Sequence, residues 1–189
     1  MDQSYQDDDL VREEESNKTN ETWEWIKALA IAVIIAVGIR YLLFSPIVVD
    51  GESMMPTLQD RERMIVNKIV YFIGEPERGD IIVFHATQSK DWIKRVIGLP
   101  GDKIEMKNDV LYINDEVVDE PYLVSSKESV SGVLTDDFSE VVPEGHLYVL
   151  GDNRRNSRDS RWIGSIPIED VVGRADVVFW PIQNIRIVK

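Results

Sequence analysis

The sequence has no cysteine. A disulfide framework, a zinc–thiolate site and a cysteine nucleophile are therefore excluded. Histidine is scarce: His85 and His146 are the only two, so a three-histidine metal centre is excluded as well. Positive charge is in deficit, with 21 Lys and Arg against 34 Asp and Glu and a formal net charge of −13. Nucleic-acid phosphates must be neutralised by Lys and Arg, so this balance argues against a nucleic-acid partner. Internal repeats are absent, and no long helical period occurs beyond Pro46. What remains is a chain of 189 residues, 43% of them hydrophobic, enough for the core of one domain with a small appendage.

The chain opens on a polar stretch. Residues 1–27 hold nine Asp and Glu against Arg12, Lys18 and Lys27, with few apolar residues before Trp23. Such a segment cannot bury enough apolar surface to offset its ordering entropy, and it reads as a solvated, disordered tail. Its carboxylates lack the spacing of a calcium loop.

An apolar run follows. Ala28 to Phe44 is 17 residues long with Arg40 as its one charge. That is the short end of the roughly 17–25 residues that cross a bilayer. Arg40 lies near the end, where its stem can snorkel to the headgroups. Trp23, Trp25 and Tyr41 flank the run as interfacial aromatics do. A cleaved leader would begin with a short basic region and end in small residues. Here a long acidic region precedes and Leu42-Leu43-Phe44 closes the run. A core helix would carry a polar stripe, and Ala28–Ile39 has none. Residues 28–45 are therefore read as a single transmembrane anchor. Lys and Arg flank it on both sides, so charge alone does not orient it.

From Pro46 the pattern becomes β. Val48-Val49, Met64–Val66, Ile81–Phe84, Val110–Ile113, Leu147–Leu150 and Val177–Trp180 are short β-branched or aromatic runs separated by turn signals such as Pro100-Gly101-Asp102 and Gly151-Asp152-Asn153. Residues 46–189 are expected to form a mainly β, antiparallel barrel or sandwich. Residues 124–142 are polar and weakly patterned, and a loop or small insertion is expected over about 107–145.

Three segments carry candidate chemistry. The first, Gly51 to Leu58, follows the strand-like run 46–50. If extended backbone continues, Ile47, Val49, Gly51 and Ser53 share one face, with a hydroxyl at the end of an apolar groove. An ordinary turn with a solvated serine is the simpler alternative. The second, Asp91 to Asp102, places Lys94 on the same strand face as Trp92 and Val96. An ammonium between apolar neighbours loses its proton more easily, and a neutral amine can take a proton from a serine hydroxyl. Alternation does not decide whether Lys94 or Arg95 is the buried one, since Arg95 also has apolar neighbours in Ile93 and Ile97. The third, Gly151 to Arg161, is too polar for a core strand. Its arginines are expected to pair internally with Asp152 and Asp159.

In this order behind an anchor, the segments resemble the signature boxes of bacterial type I signal peptidases. Ser53-Met54-Met55-Pro56-Thr57-Leu58 resembles the nucleophile box, and Lys94 to Asp102 the lysine box. Arg78-Gly79-Asp80-Ile81-Ile82-Val83-Phe84 resembles the box between them, and Gly151 to Arg161 the last. The short chain with one anchor resembles the Gram-positive form. The resemblance implies a membrane-bound serine endopeptidase that removes signal peptides from exported preproteins after small residues of the Ala-x-Ala type. Ser53 would be the nucleophile and Lys94 the general base. Ser157 would orient the Lys94 amine, and Asp159 and Arg161 would form a supporting ion pair. The Ser53 N–H would serve the oxyanion, and Gly51 stands where some relatives carry a second hydroxyl donor. Ile47, Val49, Met54 and Ile93 are candidates to line the substrate pockets. No cofactor and no metal are implied, and a monomer is expected beside the lipid bilayer. The body would face the outside of the cell and the acidic tail the cytoplasm.

Rival readings keep some of these residues. One pairs Ser53 with His85 and a carboxylate such as Asp80. A second is a self-cleaving Ser/Lys peptidase of the phage-repressor type. A third is a membrane-anchored β module, or an inactive paralogue, without activity.

Overall fold

The computed structural model describes residues 22–38, 40 and 43–188. The acidic tail up to residue 21 lies outside the described residues, as do Ile39, Tyr41 and Leu42 of the expected anchor. The chain divides into two units at Leu42 and Leu43, and each is described by itself.

In the first unit, residues 22–38 form helix α1. Its side chains are exposed on every face, Leu29 at 67% and Ile34 at 69% among them. Among the described residues no helix is long and apolar enough to cross a membrane.

The second unit is antiparallel β throughout its pairings. Its larger sheet runs β1 (Phe44–Val48), β2 (Arg63–Asn67), β11 (Val171–Trp180), β3 (Ile81–Thr87), β4 (Lys90–Gly98), β9 (His146–Leu150) and β10 (Ile166–Pro167), with β12 (Arg186–Ile187) also on β11. A smaller sheet is ordered β7 (Glu116–Val118), β6 (Val110–Ile113), β5 (Lys103–Lys107) and β8 (Phe138–Val141). Both are open, so the barrel alternative is corrected: neither sheet closes on itself. The edges explain why. Pro46 in β1 and Pro167 in the two-residue β10 bring no N–H to a further pairing.

The residues 124–142, expected as a loop, hold helix α3 (Val124–Ser129) and strand β8. β8 is Phe-Ser-Glu-Val, with only Phe138 partly buried, so it carries no clean alternation. Leu123, Leu134 and Val142 pin this region to the protein at 0%, 5% and 1% exposure.

β3 shows why the large sheet is rigid beneath the site. Ile81 and Val83 enter one core cluster with Val49, Met54 and Leu58, while Ile82 and Phe84 enter another with Val96 and Leu147. Four consecutive residues are thus buried on two opposite faces. A strand covered on both faces reads as a continuous apolar run, which Ile81–Phe84 is. The third cluster joins the small sheet to Tyr148 and Leu150 of β9. Two short helices complete the body, α2 (Val70–Ile73) and α4 (Ser160–Ile163).

Candidate active site

β4 lies between β3 and β9, with Lys94 opposite Ile82, and Arg95 opposite Ile81 on one neighbour and Leu150 on the other. The alternation that left Lys94 and Arg95 undecided has a simple outcome: both are buried, at 4% and 2% exposure. They find different partners. Lys94 Nζ lies 2.9 Å from Ser53 Oγ and donates to the Ile93 carbonyl at 2.8 Å. Arg95 donates to both Asp152 oxygens at 2.9 and 2.8 Å and to the Gly79 carbonyl at 2.8 Å. Its guanidinium also sits 3.9 Å from the Tyr122 ring centroid.

Ser53 is brought to Lys94 by a turn and not by continued strand. β1 ends at Val48, and residues 51–58 turn back under it. Met54 and Leu58, at 1% and 0% exposure, drive the turn into the core, and the Leu58 N–H donates to the Met54 carbonyl. The Gly51 N–H is engaged by Asp60 Oδ1 at 2.8 Å. From the other side the Asn153 N–H donates to the Ser53 carbonyl at 3.0 Å, and Asn153 Nδ2 to that of Glu52 at 3.1 Å. Thr57 Oγ1 donates to Asp152, which joins the turn to the Arg95 pair. Gly151 is required by close approach. A Cβ there would lie 2.2 Å from Ser157 Oγ and 2.5 Å from the Ser53 carbonyl oxygen.

Burial pulls the Lys94 amine down from 10.5 to about 8, against the opposing pull of Asp159 and Asp152. Desolvation of the ammonium outweighs the two carboxylates because neither is in contact with Nζ: Asp152 is held by Arg95, and Asp159 by Arg161. A substantial neutral fraction near neutral pH follows, and a neutral amine beside a hydroxyl can accept its proton.

The other expected residues fall as follows. Arg161 meets Asp159 through two bonds of 2.8 Å, and the Asp159 carboxylate also accepts the Gly151 N–H at 3.0 Å. Ser157 Oγ is buried and makes no hydrogen bond among the described residues, so the expected bond to Lys94 is not formed. It packs instead against Gly151. Ile47, Val49, Met54 and Ile93 line a cavity of about 400 Å³ together with Ser53 and Lys94. His85 pairs with Asp91 at 2.7 Å, while Asp80 accepts from Tyr71 and from the Glu77 N–H, so the His85–Asp80 pair of the rival triad is not assembled. Asp152 pairs with Arg95 across the sheet and not with a neighbouring arginine. Sequence reasoning also missed Glu120, whose carboxylate meets Arg154 in a buried pair. No local pattern signals that partner, 34 residues away. Asn153 and Thr57 were within the quoted segments, but their bonds depend on how two distant turns meet.

The signal peptidase family, peptidase S26, matches residues 22–180. A signal peptidase I of Bacillus amyloliquefaciens is 51% identical over 175 residues, covering 89% of this chain and 91% of its own length. Signal peptidase I S of Bacillus subtilis (strain 168) is 47% identical over 182 residues, covering 93% and 98%. Among solved structures, a signal peptidase I from Enterococcus faecalis V583 is 41% identical with a TM-score of 0.51, over 53% of this chain and 97% of that one. On these matches, the chain belongs to the peptidase S26 family of signal peptidases.

Proposed function

We propose that the protein is a membrane-bound serine endopeptidase that removes N-terminal signal peptides from exported preproteins by a Ser53/Lys94 dyad. The observation that carries this reading is the 2.9 Å approach of Ser53 Oγ to a lysine amine that is 4% exposed. The neutral Lys94 amine takes the Ser53 hydroxyl proton as Oγ attacks the scissile carbonyl. The Ser53 N–H, with a second donor, stabilises the oxyanion. The Lys94 ammonium then gives its proton to the departing amine, leaving an acyl-enzyme. Lys94 next takes a proton from water, which attacks the ester and releases the signal peptide with Ser53 restored. Arg161 holds Asp159, whose carboxylate fixes the Gly151 N–H, and Ser157 packs against Gly151 in the same turn.

The substrate lies extended beside residues 47–51 as an added strand. Its alternate side chains meet Ile47, Val49, Met54 and Ile93, which favours small residues of the Ala-x-Ala type. Residues 28–45 anchor the protein once through the cell membrane, with the body 46–189 outside and the acidic tail 1–27 in the cytoplasm. The apolar exposure of α1 on every face supports a lipid environment for it. The end of the body supports the same seat, since Trp180, Ile182, Ile185 and Ile187 are exposed at 47%, 64%, 59% and 70%.

The test is incubation of the purified protein with a preprotein bearing an Ala-x-Ala site, the cut being mapped by mass. A single cut after the second alanine is expected, and it should vanish in Ser53→Ala. Turnover by Ser53→Ala at the wild-type rate overturns the mechanism.

A further inference from the structure

The cavity beside Ser53 contains a cation that the proposed chemistry does not use. Arg158 lines it together with Asp50, Asp91 and Lys94 as the other charged side chains. Arg158 is exposed, and none of the ion pairs among the described residues includes it. Its neighbours in the same turn differ. Arg154 is locked to Glu120, Arg161 to Asp159, and Arg155 donates to the carbonyls of Ser131 and Val133. Of the two carboxylates on the cavity, Asp91 is paired with His85. Asp50 forms no ion pair with Arg158 among the described residues.

The Arg158 guanidinium is nonetheless held. Its central carbon lies 5.9 Å from the Trp92 ring centroid, within the roughly 6 Å over which a cation and an aromatic face attract. Lys94 Nζ lies 5.6 Å from the same centroid. Trp92 is therefore shared by the amine beside Ser53 and a second cation on the cavity wall. A guanidinium resting on a ring keeps its N–H fork free for a planar anion, and less side-chain entropy is lost on binding one.

We propose that Arg158, supported by Trp92, is a specificity-determining residue that recognises a Glu or Asp side chain of the polypeptide being cut. The inference rests on the Ser53/Lys94 reading for its register. The distances through Trp92 put the acidic residue within about four positions of the cleaved bond, at about 3.3 Å per extended residue. The shallow apolar pockets select for size, whereas Arg158 selects for charge at a different position of the same substrate.

The experiment uses the full chain in detergent and peptides built on one Ala-x-Ala site. Glu or Gln is placed in turn at each of the flanking positions on both sides of the cut. For every enzyme the quantity read is the ratio of kcat/KM for the Glu peptide to that for the Gln peptide. Wild type is expected to favour Glu at one position by about two- to fivefold, the range of an exposed ion pair. The preference should fall in about 0.5 M salt as screening shortens its reach. In Arg158→Gln the ratio should drop to one, and in Arg158→Glu it should invert, with Lys replacing Glu as the favoured residue there. Because each ratio is internal to one enzyme, a general change in rate does not affect it. Equal ratios in wild type and Arg158→Glu at every position overturn the proposal. Failure of the dyad reading is separately visible, as cleavage of the Gln peptides by Ser53→Ala.

Discussion

Lys94 is the residue on which the proposed chemistry turns, and its burial has two measurable consequences. Only the neutral amine can take the Ser53 proton, so kcat/KM should rise with pH to a midpoint near 8, the value to which burial lowers Lys94. Lys94→Arg should be inactive, because a guanidinium stays protonated. The second consequence concerns folding. A lysine whose folded value lies below its unfolded 10.5 penalises folding in full below about pH 8, and the penalty fades as pH climbs from there to 10.5. The full penalty is about 3 kcal/mol, at 1.36 kcal/mol per pH unit. Lys94→Met should therefore stabilise the protein by up to about that amount below about pH 8, with the gain gone near pH 11. Urea unfolding of the two proteins across pH measures this, and a gain that does not change with pH would place the amine in solvent. Gly151 gives a complementary test. The methyl of Gly151→Ala would press on the Ser53 carbonyl oxygen and Ser157 Oγ. Single-turnover rates should fall about a hundredfold, the cost of a displacement of about 1 Å at a reacting group.

At the scale of elements, β4 is the strand that joins stability to chemistry. One face sends Lys94 to Ser53, and the other sends Arg95 to Asp152, with side-chain exposures of 3% and 0% in that pair. Arg95→Met would leave the Asp152 carboxylate buried without its cation. A loss of about 3–5 kcal/mol is expected, and Arg95→Met with Asp152→Leu should recover much of it. Denaturant midpoints of the three proteins decide this. The same strand shows what could be read in the sequence. Apolar runs such as Ile81–Phe84 and Leu147–Leu150 announce strands because burial on two faces leaves a continuous signal. Lys94 and Arg95 were legible as candidates but not as a choice, since period-two alternation offers each a buried face. Strands β7 and β8 were not legible, because most of their residues are exposed, whereas β5 was missed although Ile104 and Met106 alternate with charged neighbours and are buried at 0% and 1%. The bonds around Ser53 were hidden for another reason. Asn153 reaches it across 100 positions of chain, a meeting made by sheet topology and by no local preference.

Taken whole, the proposed anchor and the proposed chemistry fall in different units of the chain. All the residues proposed for catalysis lie beyond Leu43, where the β unit begins. A protein starting at Leu43 keeps β1 and the bond from the Lys68 N–H to the Leu43 carbonyl. It should fold, and it should cut short Ala-x-Ala peptides with a kcat/KM close to that of the full chain. It should act poorly on preproteins inserted in vesicles, since the proposed anchor would supply proximity. Circular dichroism and the two cleavage assays separate these outcomes, and a folded but inert body would mean that residues before Leu43 shape the site.

The open edge at β1 has a consequence for behaviour in a crowded solution. A strand at the margin of a sheet invites any other strand, including the same edge of another molecule. Here the invitation is limited by Pro46, which interrupts the row of donors in the middle of a five-residue strand. Two such edges cannot zip along their full length, whereas a guest lying beside residues 47–51 does not meet the gap. The proline thus acts as a gatekeeper against clumping. Pro46→Val in the body alone should make light scattering rise with protein concentration, while the far-ultraviolet dichroism of the dilute protein stays unchanged.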